Sequence, residues 1–166
     1  MPTLIKVQGG RMVLANDAFT HIDDEQEIFP GEVILSLSRF QAEGDRLLSQ
    51  GRGVGVRLTP GEEVEALAYD LPRIALVALQ FPKFLDGRHY SNAQILRTRF
   101  GFTRELRAVG DVLREQAGFM LRSGFDAFEP ADGSTPDQWE RATQRFRHVY
   151  QRAADTRQPA FVERDA

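Results

Sequence analysis

The chain has 166 residues, of which 42% are hydrophobic and 27% are charged, and it carries a formal net charge of −3 at pH 7. This length and composition fit one globular domain and argue against a disordered chain or a coiled coil. The chain has no cysteine, which excludes disulfides, thiolate nucleophiles, and zinc or iron–sulfur sites held by its own thiolates.

A cytoplasmic location is expected from what the sequence lacks. Residues 1–10 contain no long apolar stretch of the kind found in signal peptides, and the longest wholly apolar run, Ile74 to Leu79, is too short to span a bilayer. The negative net charge gives no general attraction to nucleic acid. We therefore expect neither a membrane nor a nucleic acid among the partners.

The predicted elements begin with a hairpin over Leu4 to Val13, with Gly9-Gly10 at its turn. From Glu32 onward, apolar runs alternate with amphipathic stretches, as in βα units. The predicted strands are Val33–Leu37, Val54–Leu58, Ile74–Gln80, Leu106–Val109 and Phe125–Phe128. The predicted helices between them are Gln41–Ser49, Glu62–Tyr69, Ala93–Phe100 and Val112–Ser123. This pattern indicates an α/β fold with a mostly parallel sheet of about five strands, either an open doubly wound sheet or a partial βα barrel.

Several helix ends carry capping signals. An N-cap oxygen followed three residues later by Glu or Gln occurs at Ser38/Gln41, Thr59/Glu62, Ser91/Gln94 and Thr135/Gln138. Proline is expected at the first helical position at Pro60 and Pro136. Glycines expected to end helices are Gly51, Gly101 and Gly124.

The last helix is predicted from Pro136 to Ala153. Its apolar stripe, expected to pack on the sheet or on a second subunit, comprises Trp139, Ala142, Phe146, Val149 and Tyr150. Residues 1–154 are thus expected to form a single domain, and residues 155–166, which lack periodicity, a loosely ordered tail. Because a partial barrel leaves strand edges exposed, a homodimer through an edge strand or this helix is also predicted.

The segment after the third predicted strand, Phe81 to Ser91, is longer than most βα loops and is the first candidate site. Ligands of parallel sheets bind at the carboxyl ends of strands, where helix N-termini favour anions. There Lys83, Arg88 and His89 are candidates to hold a phosphate, sulfate or carboxylate. The structural alternative is that Asp86-Gly87 forms a turn, Ser91 caps the helix, and Arg88 pairs with a carboxylate.

The surrounding segment, Lys83 to Arg122, is net +4 and the remainder of the chain −7. Arg97 and Arg107 therefore complete the predicted anion-binding set, although Arg107, in a buried strand, needs a partner. The candidate acids or bases are Asp86 and Asp111, but Asp111 is more simply an N-cap. Gly110 allows a close backbone approach, and a buried Gln116 is more simply an amide paired within the protein.

The chain lacks the common catalytic motifs. Gly51 to Gly55 leads into a strand and not into a helix, so it is not a dinucleotide fingerprint, and no Walker loop or nucleophile elbow occurs. The histidines, His21, His89 and His148, show no metal-ligand spacing. The sequence therefore predicts no metal site, assigns no cofactor and names no reaction.

Four motifs in order resemble a known bacterial family. They are Phe84–Ser91, Ile95–Arg97, Glu105–Leu113 and Gly124–Phe128. The chain is similar to the domain-of-unknown-function family nine hundred and thirty-four, most closely from Phe81 to Phe128. Arg104 departs from the family pattern, where glycine is expected, which weakens the case for a tight turn before Glu105.

This resemblance implies a pathway but no catalytic residues. Members are encoded beside sulfite reductase and adenylyl-sulfate or phosphoadenylyl-sulfate reductase, and some are labelled oxidoreductases. We therefore expect an accessory protein of assimilatory sulfate and sulfite reduction that binds an anionic ligand or the reductase. The alternatives are a small enzyme acting on a phosphorylated or sulfated metabolite, with Asp86 or Asp111 as acid or base, and a flavin- or nicotinamide-dependent oxidoreductase.

Overall fold

Eight strands form one curled sheet in the computed structural model, which describes residues 3–164. The strands are β1 Leu4–Gln8, β2 Arg11–Ala15, β3 Phe19–His21, β4 Glu32–Ser36, β5 Val54–Leu58, β6 Leu76–Phe81, β7 Glu105–Gly110 and β8 Ala127–Phe128. The α-helices are α1 Leu37–Ser49, α2 Arg88–Thr98, α3 Ala117–Ser123, α4 Pro136–Thr143 and α5 Ala160–Arg164. Two short 3₁₀ helices cover Val64–Leu67 and Arg114–Gln116.

The order of the strands decides between the two predicted architectures. The sheet runs β2-β1-β8-β7-β6-β5-β4-β3, so β3 to β8 follow one another as parallel neighbours, and β1 pairs antiparallel with both β2 and β8. When parallel strands follow one another across a sheet in chain order, right-handed crossover connections place all of their helices on the same face of the sheet. The open doubly wound alternative is therefore wrong, and the sheet is a half-barrel.

The sheet curls far enough to bring its two edges together. Its edge strands, β2 and β3, are joined by only the residues between Ala15 and Phe19. That link spans at most about 14 Å at about 3.6 Å per residue. Across the gap, the Nε2 atom of His21 lies 2.9 Å from Oε1 of Glu129, which follows β8. Residues 16–22 therefore close the open side of the curl.

Strand alternation gives the sheet two different faces. Val77 and Leu79 of β6 belong to the large core that α1, α2, α3 and α4 cover, whereas Ala78 lies in a smaller cluster on the inner face. The other buried members of the inner cluster are Ile34, Leu76 and Val109. The inner face is thus apolar at β4 and β6, and its polar groups gather around Arg107 of β7.

Several local predictions are confirmed. Gly9 and Gly10 have φ of 57° and 78°, as a tight hairpin turn requires, and Gly124 ends α3 with φ of 113°. The capping box of α4 is formed by Thr135 and Gln138, with Pro136 at the start of the helix. These signals depend only on neighbouring residues, which is why the sequence discloses them.

Other predictions are corrected. The sheet has eight strands, not about five, because the hairpin joins it and β3 was not anticipated. Helix α1 is capped by the Oγ atom of Ser36, which accepts from the Arg39 amide, and not by Ser38. Helix α2 starts at Arg88, so Ser91 lies inside it and caps nothing. Thr59 and Glu62 bond each other in a turn, and only a 3₁₀ helix follows in place of a helix over Glu62–Tyr69.

The largest correction concerns the carboxyl-terminal helix. Helix α4 ends at Thr143, so the predicted stripe divides: Trp139 is buried and donates to the Ser134 hydroxyl over 2.7 Å, whereas Phe146 and Tyr150 are exposed. The chain then folds back, with a bridge between Val149 and Pro159. The predicted tail contains α5 within its described part, and its residues 165 and 166 lie outside the described chain. Within residues 3–164, no helix has the length and apolarity needed to cross a membrane.

Candidate functional site

The β6–α2 loop, residues 82–87, contributes Asp86 to an ion pair with Arg88, the first residue of α2. Arg88 donates from Nε and Nη2 to the two oxygens of Asp86, over 3.0 and 2.6 Å. These hydrogen bonds from Arg88 lower the pKa of Asp86 to about 2. Gly87 precedes the first turn of α2, and Lys83 is exposed. Arg88 is thus paired with a carboxylate, as in the structural alternative, and Asp86 is held ionised.

Asp111 and Gln116 fix this loop against the end of β7. The Oδ2 atom of Asp111 accepts from the Phe84 amide over 2.8 Å, and Nε2 of Gln116 donates to the Phe84 carbonyl over 2.9 Å. Gln116 also accepts from the Leu113 amide. The geometry therefore gives Asp111 and Gln116 the role of holding backbone groups. Leu85, at the tip of the loop, is 89% exposed.

His89 contributes no positive charge at neutral pH. Its side chain is buried against the edge of the Phe81 ring, with the ring centroids 5.8 Å apart, and its Nδ1 atom lies 3.1 Å from Nδ2 of Asn92. Burial lowers the pKa of His89 to about 4, and the nearby Leu58 carbonyl and Asp86 carboxylate offset only part of this effect. A neutral imidazole cannot supply the cation that the sequence suggested here.

This lowered pKa predicts a pH dependence of stability. The unfolded chain takes up the His89 proton near pH 6.5 and the folded chain only near pH 4, so the free energy of unfolding falls as the pH drops between these values. We expect a loss on the order of 3 kcal/mol at about 1.4 kcal/mol per pKa unit, absent from a His89→Phe variant. Denaturant unfolding at several pH values measures this difference, and a His89 NMR titration with a midpoint near 6.5 would contradict it.

Arg107 occupies the centre of a charged cluster on the inner face of the sheet. The Arg107 cluster comprises Lys6, Asp17, His21, Glu105, Arg107 and Glu129. Arg107 is fully buried and donates to both Asp17 oxygens over 2.7 and 3.0 Å, to Glu105 over 2.7 Å and to Glu129 over 2.8 Å. The sequence analysis predicted that Arg107 needs a partner, and the structure shows three carboxylate partners, Asp17, Glu105 and Glu129. Its guanidinium thereby makes four hydrogen bonds to carboxylate oxygens.

Mutual attraction within the Arg107 cluster outweighs the cost of burying its charges. Burial by itself would raise the pKa of Asp17, but hydrogen bonds from Arg107 and the Phe19 amide leave it lowered. Burial likewise opposes ionisation of Glu129, but His21 and Arg107 lower its pKa. The pKa of Arg107 is raised despite its burial, because Asp17 and the other carboxylates stabilise its charge. The cluster therefore ties residues 16–22 to β7 and β8.

Arg97 lies at the other end of the sheet. Its guanidinium donates to the carbonyls of Gly124, Phe102 and Arg104, and to a carboxylate oxygen of Asp126 over 2.9 Å. These groups surround the start of β7, whereas Lys83 and Arg88 follow the end of β6. The predicted anion-binding residues are thus distributed over three places, and the structure does not bring them together.

A different group of basic residues surrounds a pocket of about 920 Å³. It lies among α3, α4 and the segment that folds back after α4. We call it the arginine pocket, because its lining includes Arg114, Arg122, Arg141, Arg145 and Arg157. One carboxylate, Glu115, is among the lining residues that the structure describes. This excess of positive charge makes the arginine pocket the strongest candidate site for an anion.

Two of these arginines build the wall of the pocket. Arg122 of α3 pairs with Asp155 over 3.1 Å and donates to the Gln151 carbonyl. Arg157 donates to the carbonyls of Phe146 and Arg147 over 3.1 and 2.6 Å. Both therefore hold residues 144–157 in place beside α3.

The other three arginines are available for a ligand. Within residues 3–164, Arg141 and Arg145 have no carboxylate partner, and Arg114 only approaches Glu115 at 3.6 Å. The sequence analysis did not select these residues as a site: it predicted a helix from Pro136 to Ala153 and considered only its apolar stripe, to which Arg141 and Arg145 do not belong. The signal was the density of arginine from 141 to 157, where the sequence places five.

The inner-face residues Asp17, His21 and Glu129 were also missed. They come from distant parts of the chain and meet only because the sheet curls. Within the described residues 3–164, no group of three or more His, Asp or Glu side chains is arranged to hold a metal ion.

Comparison with protein families gives a match over most of the chain. Residues 55–161 match a family described as bacterial protein of unknown function, DUF934. The matched region includes the β6–α2 loop and every arginine of the arginine pocket. No match is found among curated proteins.

Proposed function

The chain belongs to the DUF934 family, whose match covers residues 55–161, and on that premise we propose that it is an accessory protein of assimilatory sulfate and sulfite reduction that binds an anionic ligand in the arginine pocket. The single observation that carries the binding proposal is the pocket itself. Arg114, Arg141 and Arg145 face it without a tight carboxylate partner in the described chain. Arginine without such a partner favours sulfate, phosphate or carboxylate groups.

The pathway and the partner are supported by the family resemblance. If the protein serves sulfite reduction, the electron-transfer chemistry belongs to the partner, since this chain carries no thiolate for a cluster. Sulfite reductase is the proposed partner, and a homodimer remains a further proposal.

An enzyme acting on a phosphorylated or sulfated metabolite has less support. It would use Asp86 or Asp111 as an acid or base, but Asp86 is held ionised by Arg88 and Asp111 holds the Phe84 amide. No observation in the structure favours a flavin- or nicotinamide-dependent oxidoreductase. Both alternatives therefore have less support than the binding proposal.

Growth of a strain lacking this gene tests the pathway. We expect poor growth with sulfate or sulfite as the sulfur source and normal growth with sulfide or cysteine, because the proposed defect lies at sulfite reduction. Normal growth with sulfate alone would overturn the pathway proposal.

Complementation of the same strain tests the pocket. An Arg141→Ala/Arg145→Ala variant is expected to restore growth at less than about a tenth of the wild-type rate, since bidentate contacts to an anion are lost. The matched control, Arg46→Ala/Arg99→Ala, removes two exposed helix-end arginines that pair with Glu43 and Glu65 away from the pocket, and it should restore growth fully. Full rescue by both variants would contradict the role of the pocket.

A further inference from the structure

The size of the arginine pocket argues against a bare inorganic anion. Its volume is about 920 Å³. Pockets of roughly 300–1,000 Å³ hold organic ligands of drug or cofactor size, and a sulfate or phosphate ion would leave most of such a space to water. The ligand should therefore carry a larger group in addition to its charge.

Aromatic side chains in the pocket lining indicate that the larger group of the ligand is a planar ring. Phe119, Phe146 and Tyr150 line the pocket, and they are 66%, 64% and 84% exposed. Phe119 comes from α3 and the other two from the segment after α4, so two walls each contribute a ring. Exposed aromatic rings beside arginines are typical of surfaces that stack planar bases.

An arginine of the pocket lies beside one of these aromatic rings. The Cζ atom of Arg145 lies 5.8 Å from the centroid of the Phe146 ring, and Arg141 lies four residues earlier, in the last turn of α4. A guanidinium can bind phosphate oxygens through its edge while its face contacts an aromatic ring. A ligand that joins a planar ring to a phosphate or sulfate group matches both features at once.

We propose that the arginine pocket binds a nucleotide, with the base stacked on the exposed aromatic rings and the phosphate groups held by Arg114, Arg141 and Arg145. This inference rests on the proposed function, because it names the class of anion that the same pocket takes. The three arginines that do not build the pocket wall suit a ligand with two or three negative charges.

Calorimetric titration of the full chain with ADP, its fragments adenosine and inorganic pyrophosphate, and with sulfate and oligoglutamate, tests the proposal. ADP is expected to bind at least tenfold more tightly than either fragment, because only ADP engages both the rings and the arginines. Arg141→Ala/Arg145→Ala and Phe119→Ala/Phe146→Ala should each weaken ADP binding at least tenfold. Arg46→Ala/Arg99→Ala should leave it unchanged.

The possible failures are distinguishable. If pyrophosphate or sulfate binds as tightly as ADP, the nucleotide inference is overturned while anion binding stands. If ADP, pyrophosphate and sulfate all fail to bind, the anion-binding role of the pocket is overturned as well. If only an acidic peptide such as oligoglutamate binds, the site is a protein-docking surface and the nucleotide inference is again overturned.

Discussion

Replacing Arg107 with methionine is expected to lower the free energy of unfolding at pH 7 by about 3–5 kcal/mol. Removing one partner of a buried ion pair leaves the other charges desolvated without compensation, which costs amounts of this size. Here Asp17 loses both hydrogen bonds from its guanidinium partner, whereas Glu105 and Glu129 keep Lys6 and His21. Denaturant unfolding monitored by the fluorescence of the buried Trp139 measures the loss.

Two further variants make this result interpretable. Arg46→Met removes an exposed arginine that pairs with Glu43 and should leave the free energy of unfolding nearly unchanged. Adding Asp17→Asn to Arg107→Met should recover part of the loss, because the buried charge is removed with its partner. An Arg107→Met protein as stable as the wild type would show that the cluster is hydrated in solution.

The pH dependence of the same variant has a defined sign. In the wild type, Asp17 and Glu129 have lowered pKa values, so their contribution to stability is present above the unfolded pKa values near 4 and is lost as the pH falls through the folded ones. Without Arg107, burial should raise the pKa of Asp17. Relative to the wild type, which shares the His89 effect, the variant should therefore lose stability as the pH rises from the unfolded pKa of Asp17, near 4, through its raised folded pKa.

Gly110→Ala is expected to lower the free energy of unfolding by at least about 2 kcal/mol. Gly110 has φ of 96°, and a Cβ atom there would lie 2.3 Å from the Phe81 carbonyl oxygen. The end of β7 approaches β6 this closely because the Asp111 amide donates to the same Phe81 oxygen over 2.7 Å. An alanine must therefore either adopt strained backbone angles or separate the two strands.

Denaturant unfolding and amide exchange check this second prediction. The Asp111 amide should exchange faster in Gly110→Ala as its bond to Phe81 weakens. The matched control is Gly118→Ala in α3, where a Cβ atom meets nothing within 4 Å and the helix favours alanine by up to about 1 kcal/mol. Equal stabilities of the two variants would contradict the close approach of β7 to β6.

Local features of this fold were predictable because they depend on residues close in sequence. The hairpin at Gly9-Gly10, the Thr135/Gln138 capping box, and the glycine end of α3 are of this kind. The need of Arg107 for a partner and the close approach at Gly110 also follow from single residues placed in a buried strand. Which residues contact Arg107 and Gly110 does not follow from the sequence.

In the carboxyl-terminal region, the helical spacing of apolar residues predicts a helix that is longer than the one in the structure. Apolar residues at helical spacing continue past Thr143, yet the helix ends there. Arg122 and Arg157 instead bond carbonyls of the segment after α4, and the chain folds back beside α3. The arginine pocket lies between α3 and this reversed segment, which contributes Arg145, Phe146 and Tyr150 to its lining.

The sequence by itself determined the α/β class, the parallel strands from β4 to β8, the hairpin, several caps and the membership of residues 55–161 in the DUF934 family. Only the tertiary structure decided the curl of the sheet, the Arg107 cluster and the arginine pocket. The reason is that short-range signals depend on backbone geometry and adjacent side chains. Contacts such as Arg107 with Asp17, ninety positions apart, depend on how the whole sheet closes.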